Sequence, residues 1–258
     1  MKRIEELKNS DFIVSLGTFC EDESLRKIVL NRGKNVNFVY MSPIDNPLLK
    51  NSYNQFIKYE AGSEEAVIAL LLNTFANHLD DKTKTYLDEL DLGYLSAESS
   101  AGEEEFEEAN DLSFEASNKV LIVGNDLKNH SRVENIARLL GRVEKLTELS
   151  VIILDEELEK KVEHFKDEVL EDIDNLKSFN GTVVYEILGD EKYLITSQTF
   201  LNIAKIKNGD HVEIFTKNQN YKRVAKLDSN LLGTIALLEV SNFSKEYRYK
   251  QAKIEKSE

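Results

Sequence analysis

One cysteine in 258 residues is the shortage with the widest consequences. Cys20 alone leaves no disulfide within the chain, no Cys-based zinc site and no iron–sulfur cluster, which takes about four thiolates. Any electron-transfer role must therefore draw on centres held by another polypeptide. Long apolar runs are also missing: the longest, Ala66 to Leu72, has seven residues, against the roughly 20 that cross a bilayer. The start, MKRIEELKNS, is charged and has no apolar h-region. No secretory signal is visible, so a cytoplasmic chain without direct membrane insertion is expected.

Basic charge is short in the larger part of the chain. Residues 1–177 carry 21 basic and 37 acidic groups, whereas 178–258 carry 12 and 10, for an overall charge of −14. An acidic body disfavours nucleic acid as a partner, because phosphate contacts need clustered Lys and Arg. What is present suits a globular chain: 41% hydrophobic and 31% charged residues, enough to build a core in one large domain or two smaller ones at roughly 150 residues each.

The run Phe12-Ile13-Val14-Ser15-Leu16 ends at Gly17, helical spacing follows at Leu25, Ile28 and Val29, and a second apolar run occupies Val36 to Tyr40. Strand, turn, helix, strand is a βαβ crossover, and near-continuous apolar strands imply a parallel sheet covered on both faces. The same grammar returns at Val120-Leu121-Ile122-Val123 and Gly124. There Ser131 and Glu134 have the S-x-x-E capping-box spacing. Val133, Ile136, Ala137, Leu140 and Val143 form a stripe behind them, and Val151 to Leu154 reads as the next strand. Two such units predict an α/β doubly wound parallel sheet over 1–177.

Between the units, about 48–118, an acidic helical insertion is expected. Ser63 to Leu79 reads as a helix with Ala66, Val67, Leu70, Leu71 and Phe75 on one side, and Asp88 to Asn118 holds eleven acidic residues without Lys or Arg, a surface excursion. A charged helix over Glu156 to Leu176, striped by Leu158, Val162, Phe165, Val169, Ile173 and Leu176, leads out of this domain. From 178 to 258 the period changes to alternation. Strands are predicted at Thr182–Tyr185, Tyr193–Ile195, Val212–Phe215, Tyr221–Leu227 and Gly233–Val240, with one helix at Gln198–Lys205 and a turn at Asn218-Gln219-Asn220. Short strands joined by polar turns suggest a small β-barrel.

Chemical motifs are sparse. The first two crest loops read Gly17-Thr18-Phe19-Cys20 and Gly124-Asn125-Asp126, each with one glycine where a dinucleotide fingerprint has several, and no Walker lysine, nucleophile elbow or H-E-x-x-H occurs. His78, His130, His164 and His211 are isolated from one another and read as surface or capping residues. Cys20 is either a thiol activated near a helix start or, more commonly, a packed inert one. Glu103 to Glu108 could draw a cation or basic partner, yet reads first as a solvated helix face. Tyr247-Arg248-Tyr249-Lys250 could stack on bases, but a last barrel strand accounts for it more simply. Ligands of doubly wound sheets bind beyond the strand C-termini. The weak cofactor-binding candidates are therefore Gly17, Thr18, Ser42, Asp45, Gly124, Asn125 and Asp126, and no catalytic or metal-ligating residue is identified.

Three stretches resemble one family. Asp11 to Phe19 with Tyr40-Met41-Ser42-Pro43-Ile44-Asp45, then Lys119 to Leu154 with VLIVGNDLKNHSRVENIARLL, and Phe200 to Ile214 with its Gly209-Asp210-His211-Val212 turn are similar to segments of the molybdopterin oxidoreductase superfamily. Within it, the C-terminal part of the G subunit of bacterial NADH-quinone oxidoreductase is the nearest likeness, including the ending Tyr247 to Lys250. The resemblance implies a Rossmann-like domain over 1–177 and a double-psi-like β-barrel of the molybdopterin-dinucleotide-binding type over 178–258. It implies a non-catalytic structural component docked on iron–sulfur subunits of a respiratory complex, peripheral on the inner membrane. No Cys-rich iron–sulfur region corresponds here, and the glycine-rich or Arg-rich loops that anchor a pterin are not evident, so no cofactor is expected in this chain. The alternatives are a pterin-binding part of a molybdopterin oxidoreductase completed in trans, and a free-standing small-molecule binder.

Overall fold

A computed structural model of the chain describes residues 7–21 and 23–257. They form two compact units, one of residues up to Pro43 together with Leu49–Lys177, the other of Ile44–Leu48 together with Ser178 onward.

The first unit is built on a five-stranded parallel sheet of β1 (Phe12–Leu16), β2 (Asn37–Ser42), β3 (Gln55–Lys58), β4 (Lys119–Val123) and β5 (Leu149–Ile153), in the order β3-β2-β1-β4-β5. Every residue of β1 is buried, as a central parallel strand requires. Phe12 pairs with Asn37 on one side and Lys119 on the other. Side-chain alternation divides the sheet between two cores. On one face, α1 (Glu23–Leu30) sends Leu25 and Val29 against Ile13, Phe38, Tyr40 and Ile122. On the other, Phe12, Val14, Leu16, Leu121 and Val123 meet the helices α2 (Glu64–Phe75), α6 (Val133–Leu146) and α7 (Glu156–Phe165).

The insertion differs from expectation in two ways. It opens with a strand, β3, whose four residues alternate between buried and more open positions but are too few to read as a pattern. Its acidic half is no surface excursion either. The helices α3 (Asp81–Glu89), α4 (Leu92–Ser99) and α5 (Glu103–Leu112) bury Leu87, Leu95, Phe106 and Ala109, while Glu103, Glu104, Glu107 and Glu108 stay exposed. The amide of Gln55 donates to the Glu105 carbonyl and the Glu108 carboxylate, fastening α5 to β3. Surrounded by α4, α5 and α6, α2 is buried on all sides rather than along one stripe.

That burial includes Glu64 and Glu65, at the start of α2. Glu65 accepts from the Asn135 amide at 2.6 Å and from Arg132 Nε at 3.1 Å. The anticipated capping box does not form: the N-cap of α6 is Arg132, with no side-chain cap. Its N–H donates to Nδ1 of His130, two residues back. The helix expected to reach Leu176 ends at Phe165. Residues 166–177 continue as an irregular strap because α6 offers it better partners than a further helical turn would. Asn135 bonds both the N–H and the carbonyl of Glu171, Arg132 and Arg138 grip the Glu171 carboxylate, and Gly141 lets Lys166 cross closely enough that a Cβ would lie 2.4 Å from it. Val169, counted in the helical stripe, is exposed, while Ile173 is buried.

The second unit is a curled, mixed seven-stranded sheet, a half-barrel, of β6 (Val183–Leu188), β7 (Tyr193–Thr196), β8 (His211–Phe215), β9 (Asn220–Leu227), β10 (Ile235–Val240), β11 (Tyr249–Gln251) and β12 (Lys253–Lys256). The order is β11-β6-β10-β7-β9-β8-β12. The pairs β6–β10 and β7–β9 are parallel and the rest antiparallel. Its two edge strands are consecutive in the chain, with Ala252 alone between them, and this curls the sheet until one extended segment serves both edges. Strands β8 and β9 form a hairpin whose tip, Thr216 to Gln219, falls slightly before the expected turn. The helix α8 (Gln198–Ala204) is capped by Ser197 and packs Phe200 and Leu201 into the core with Leu194, Val212, Ala236 and Leu238.

Replacing Glu65 by Ala strands the buried Asn135 amide and weakens the strap's anchor. The Glu65→Ala variant is expected to lose about 3 kcal/mol of stability in urea unfolding, with a smaller loss for Glu65→Gln.

Candidate functional site

The change of direction in the parallel sheet lies between β1 and β4, so their C-terminal ends mark the place where such folds hold ligands. Gly17, Thr18, Gly124 and Asp126 meet there. Gly17 takes a left-handed φ of +63°, which glycine adopts without steric cost. A Cβ on Gly124 would lie 2.1 Å from the Gly17 carbonyl oxygen and 2.4 Å from Thr18 Cβ. The two loops therefore touch through their backbones. Their polar groups are turned on each other: the Gly124 N–H donates to the Leu16 carbonyl at 2.8 Å and the Asp126 N–H to the Gly17 carbonyl at 3.1 Å. Above Gly17 stands Leu127, fully buried, close enough that a Cβ would approach its Cγ to 2.8 Å.

Thr18, Ser42 and Asp126 are buried. Thr18 Oγ1 accepts from the Cys20 N–H, Ser42 is the last residue of β2, and Asn125 opens a short 3-10 turn. Asp45 lies in the Ile44–Leu48 segment that groups with the second unit. Backbone N–H groups aimed outward are what a pyrophosphate needs. Those of Gly124 and Asp126 are already spent on the end of β1.

Cys20 sits beside this crest with φ +53° and 1% exposure. Burial pushes its thiol up to about 12, with the nearby Asp126 charge adding to the shift and the Thr18 hydroxyl opposing it. The geometry is that of the inert reading. Of the histidines, His78, His164 and His211 are exposed. His130 is buried: its Nδ1 accepts from Arg132, which leaves Nε2–H to donate to the Gly62 carbonyl at 3.0 Å. Burial lowers its pKa and keeps the ring neutral. Among the described residues no group of three or more His, Cys, Asp or Glu side chains could hold a metal ion.

The Tyr247–Lys250 stretch supplies a strand and a buried charge network. Arg248 lies over the rings of Tyr185 and Phe243, at 4.3 and 4.0 Å from their centroids, and donates to the Glu186 carbonyl. Lys250 Nζ meets the Glu186 carboxylate at 2.7 Å and Ser244 Oγ at 2.8 Å. Glu186 is wholly buried, and Ser244 also donates to it twice. These rings and cations are turned on one another rather than outward. The strand expected over Thr182–Tyr185 stops one residue short of Glu186, and its partners Ser244 and Lys250 lie 58 and 64 residues further on.

Two concavities were not readable from sequence. One, of about 550 Å³, lies between α3 and the strap, with Tyr86, Arg142 and Asp172 in its wall. The other, of about 730 Å³, opens in the second unit where Ala252 links β11 to β12. No family model matches this chain, and no curated protein matches it either.

Gly124→Ala is expected to cost about 3 kcal/mol in chemical denaturation, as overpacking against a fixed carbonyl does. Cys20 is expected to resist a disulfide-exchange reagent at pH 8 in the native protein and to react at once after unfolding; equal rates in the two states would refute its burial.

Proposed function

We propose that this chain is a non-catalytic structural component of a membrane-associated NADH-quinone oxidoreductase. It would correspond to the C-terminal region of the G subunit without the iron–sulfur domains, docked on iron–sulfur subunits at the cytoplasmic side of the inner membrane. In this reading the first unit is a Rossmann-like domain and the second a double-psi-like barrel. The sheet order β3-β2-β1-β4-β5, with its reversal between β1 and β4, supports the first assignment. The paired parallel strands within an otherwise antiparallel curled sheet, whose edges are one chain segment, support the second.

The observation that carries the functional reading is the crest. At the switch point of the sheet the Gly17 and Gly124 loops pack backbone to backbone, with Leu127 against Gly17. Loops packed this closely at the edge where such folds bind ligands favour a part that shapes and supports others. Its one thiol is packed away, so electrons would pass through partners.

The test is affinity purification of the tagged full chain from membranes of the organism that makes it, with mass spectrometry of what accompanies it. Respiratory subunits, including a Cys-rich iron–sulfur polypeptide, are expected in constant proportion. Recovery of the chain without any of them would overturn the proposal.

A further inference from the structure

We propose that the concavity at the seam of the second unit binds an amphipathic organic anion, with an apolar body and a single carboxylate end. This site lies away from the crest and does not depend on the oxidoreductase reading. Its origin is topological. Strand β11 is paired with β6 and β12 with β8, so the chain changes partners at Ala252, and β6 and β8 are not paired with each other at that step. The gap left is about 730 Å³, inside the roughly 300–1,000 Å³ range of small-molecule sites.

The lining has two parts. Ile203 of α8, Phe215 of β8 and Ile254 of β12 are its apolar lining, and Ile203 is 49% exposed while Phe200 and Leu201 of the same helix are buried. The polar groups of the wall are largely engaged with each other: the Thr182 hydroxyl donates to the Ala252 carbonyl, the Ala252 N–H to the Thr182 carbonyl, and the Gln251 amide to Asn180. The groups left to meet a ligand's charge are the ammonium ends of Lys217 and Lys253. Lys253 is paired with Glu255 at 2.5 Å, the two side chains being 75% and 48% exposed. Such a pair holds weakly and can be exchanged for a ligand carboxylate. An apolar floor beneath two cations selects against neutral polar compounds and against cations.

Decanoate, below its critical micelle concentration, is the probe. Titrated into the isotope-labelled full chain, it is expected to produce saturable amide shifts centred on residues 180–182, 203–204, 215–217 and 251–254. Decan-1-ol, lacking the charge, should bind several-fold more weakly. The double variant Lys217→Glu/Lys253→Glu changes two exposed side chains and should fold, and it is expected to lose about tenfold in affinity, equivalent to 1.4 kcal/mol. Ile203→Glu, which puts like charge on the floor, should abolish the response. Absence of saturable shifts, shifts centred elsewhere, or equal affinity in the double variant would overturn the proposal. So would saturation by an acidic amphipathic peptide without any response to decanoate, which would make the seam a docking groove.

Discussion

The backbone contact between the ends of β1 and β4 is the constraint around which the first unit is arranged. At the opposite end of the same pair, the Asp11 carboxylate accepts the N–H groups of Ser117 and Asn118. The two strands are thus pinned at both ends, below by a charge-assisted link and above by Gly124 donating to Leu16. With that register fixed, the alternation along β1 sends Ile13 to one core and Phe12, Val14 and Leu16 to the other. A slip by one residue would exchange the two sets. The helices on each face have no comparable freedom, since each is matched to the row of side chains that this pairing presents.

Buried charge is the second theme. Glu65 and Glu186 are removed from water in separate cores, at a desolvation cost of several kcal/mol per ion. Each is met by several donors: Asn135 and Arg132 in one case, Lys250 and Ser244 in the other. Such networks add little net stability against apolar replacements, but they penalise every arrangement in which a donor is missing. Glu65 and the strap carboxylate Glu171 share Arg132, so the path of residues 166–177 and the seating of α2 are specified together. Glu186, through Arg248 and Lys250, ties β6 to β11 and settles which strand takes that edge.

The sequence was legible where one element settles its own fate. The apolar runs at Phe12, Val36, Val120 and Val151 do become neighbouring parallel strands, and the stripe from Val133 to Val143 becomes a helix with Ile136, Ala137, Leu140 and Val143 buried. It was illegible where a distant partner decides. Gln55–Lys58 is too short to show a period and becomes a strand because β2 offers an edge. The heptad-like spacing past Phe165 is real, but Asn135 and Arg138 give that stretch non-helical bonds. At α6 the Ser131–Glu134 spacing forms no capping box, and the helix begins at Arg132 without a side-chain cap. At the crest, the glycines were readable as turns, whereas Leu127, the residue that fills the space between them, carries no local mark beyond being apolar.

The single extended segment that forms both margins of the second unit has a kinetic side. Strands β6 and β8 are synthesised well before Tyr249–Lys256, so each must wait with an unpaired margin until that late stretch emerges. During that interval two rows of amide and carbonyl groups lie open to any passing strand, the circumstance that invites misassembly between copies. The closing stretch brings Lys250 to Glu186 and Lys256 to Asp210, so its seating is set by ion pairs as well as by backbone pairing. A foreign strand without those cations would leave the buried Glu186 short of its Lys250 partner.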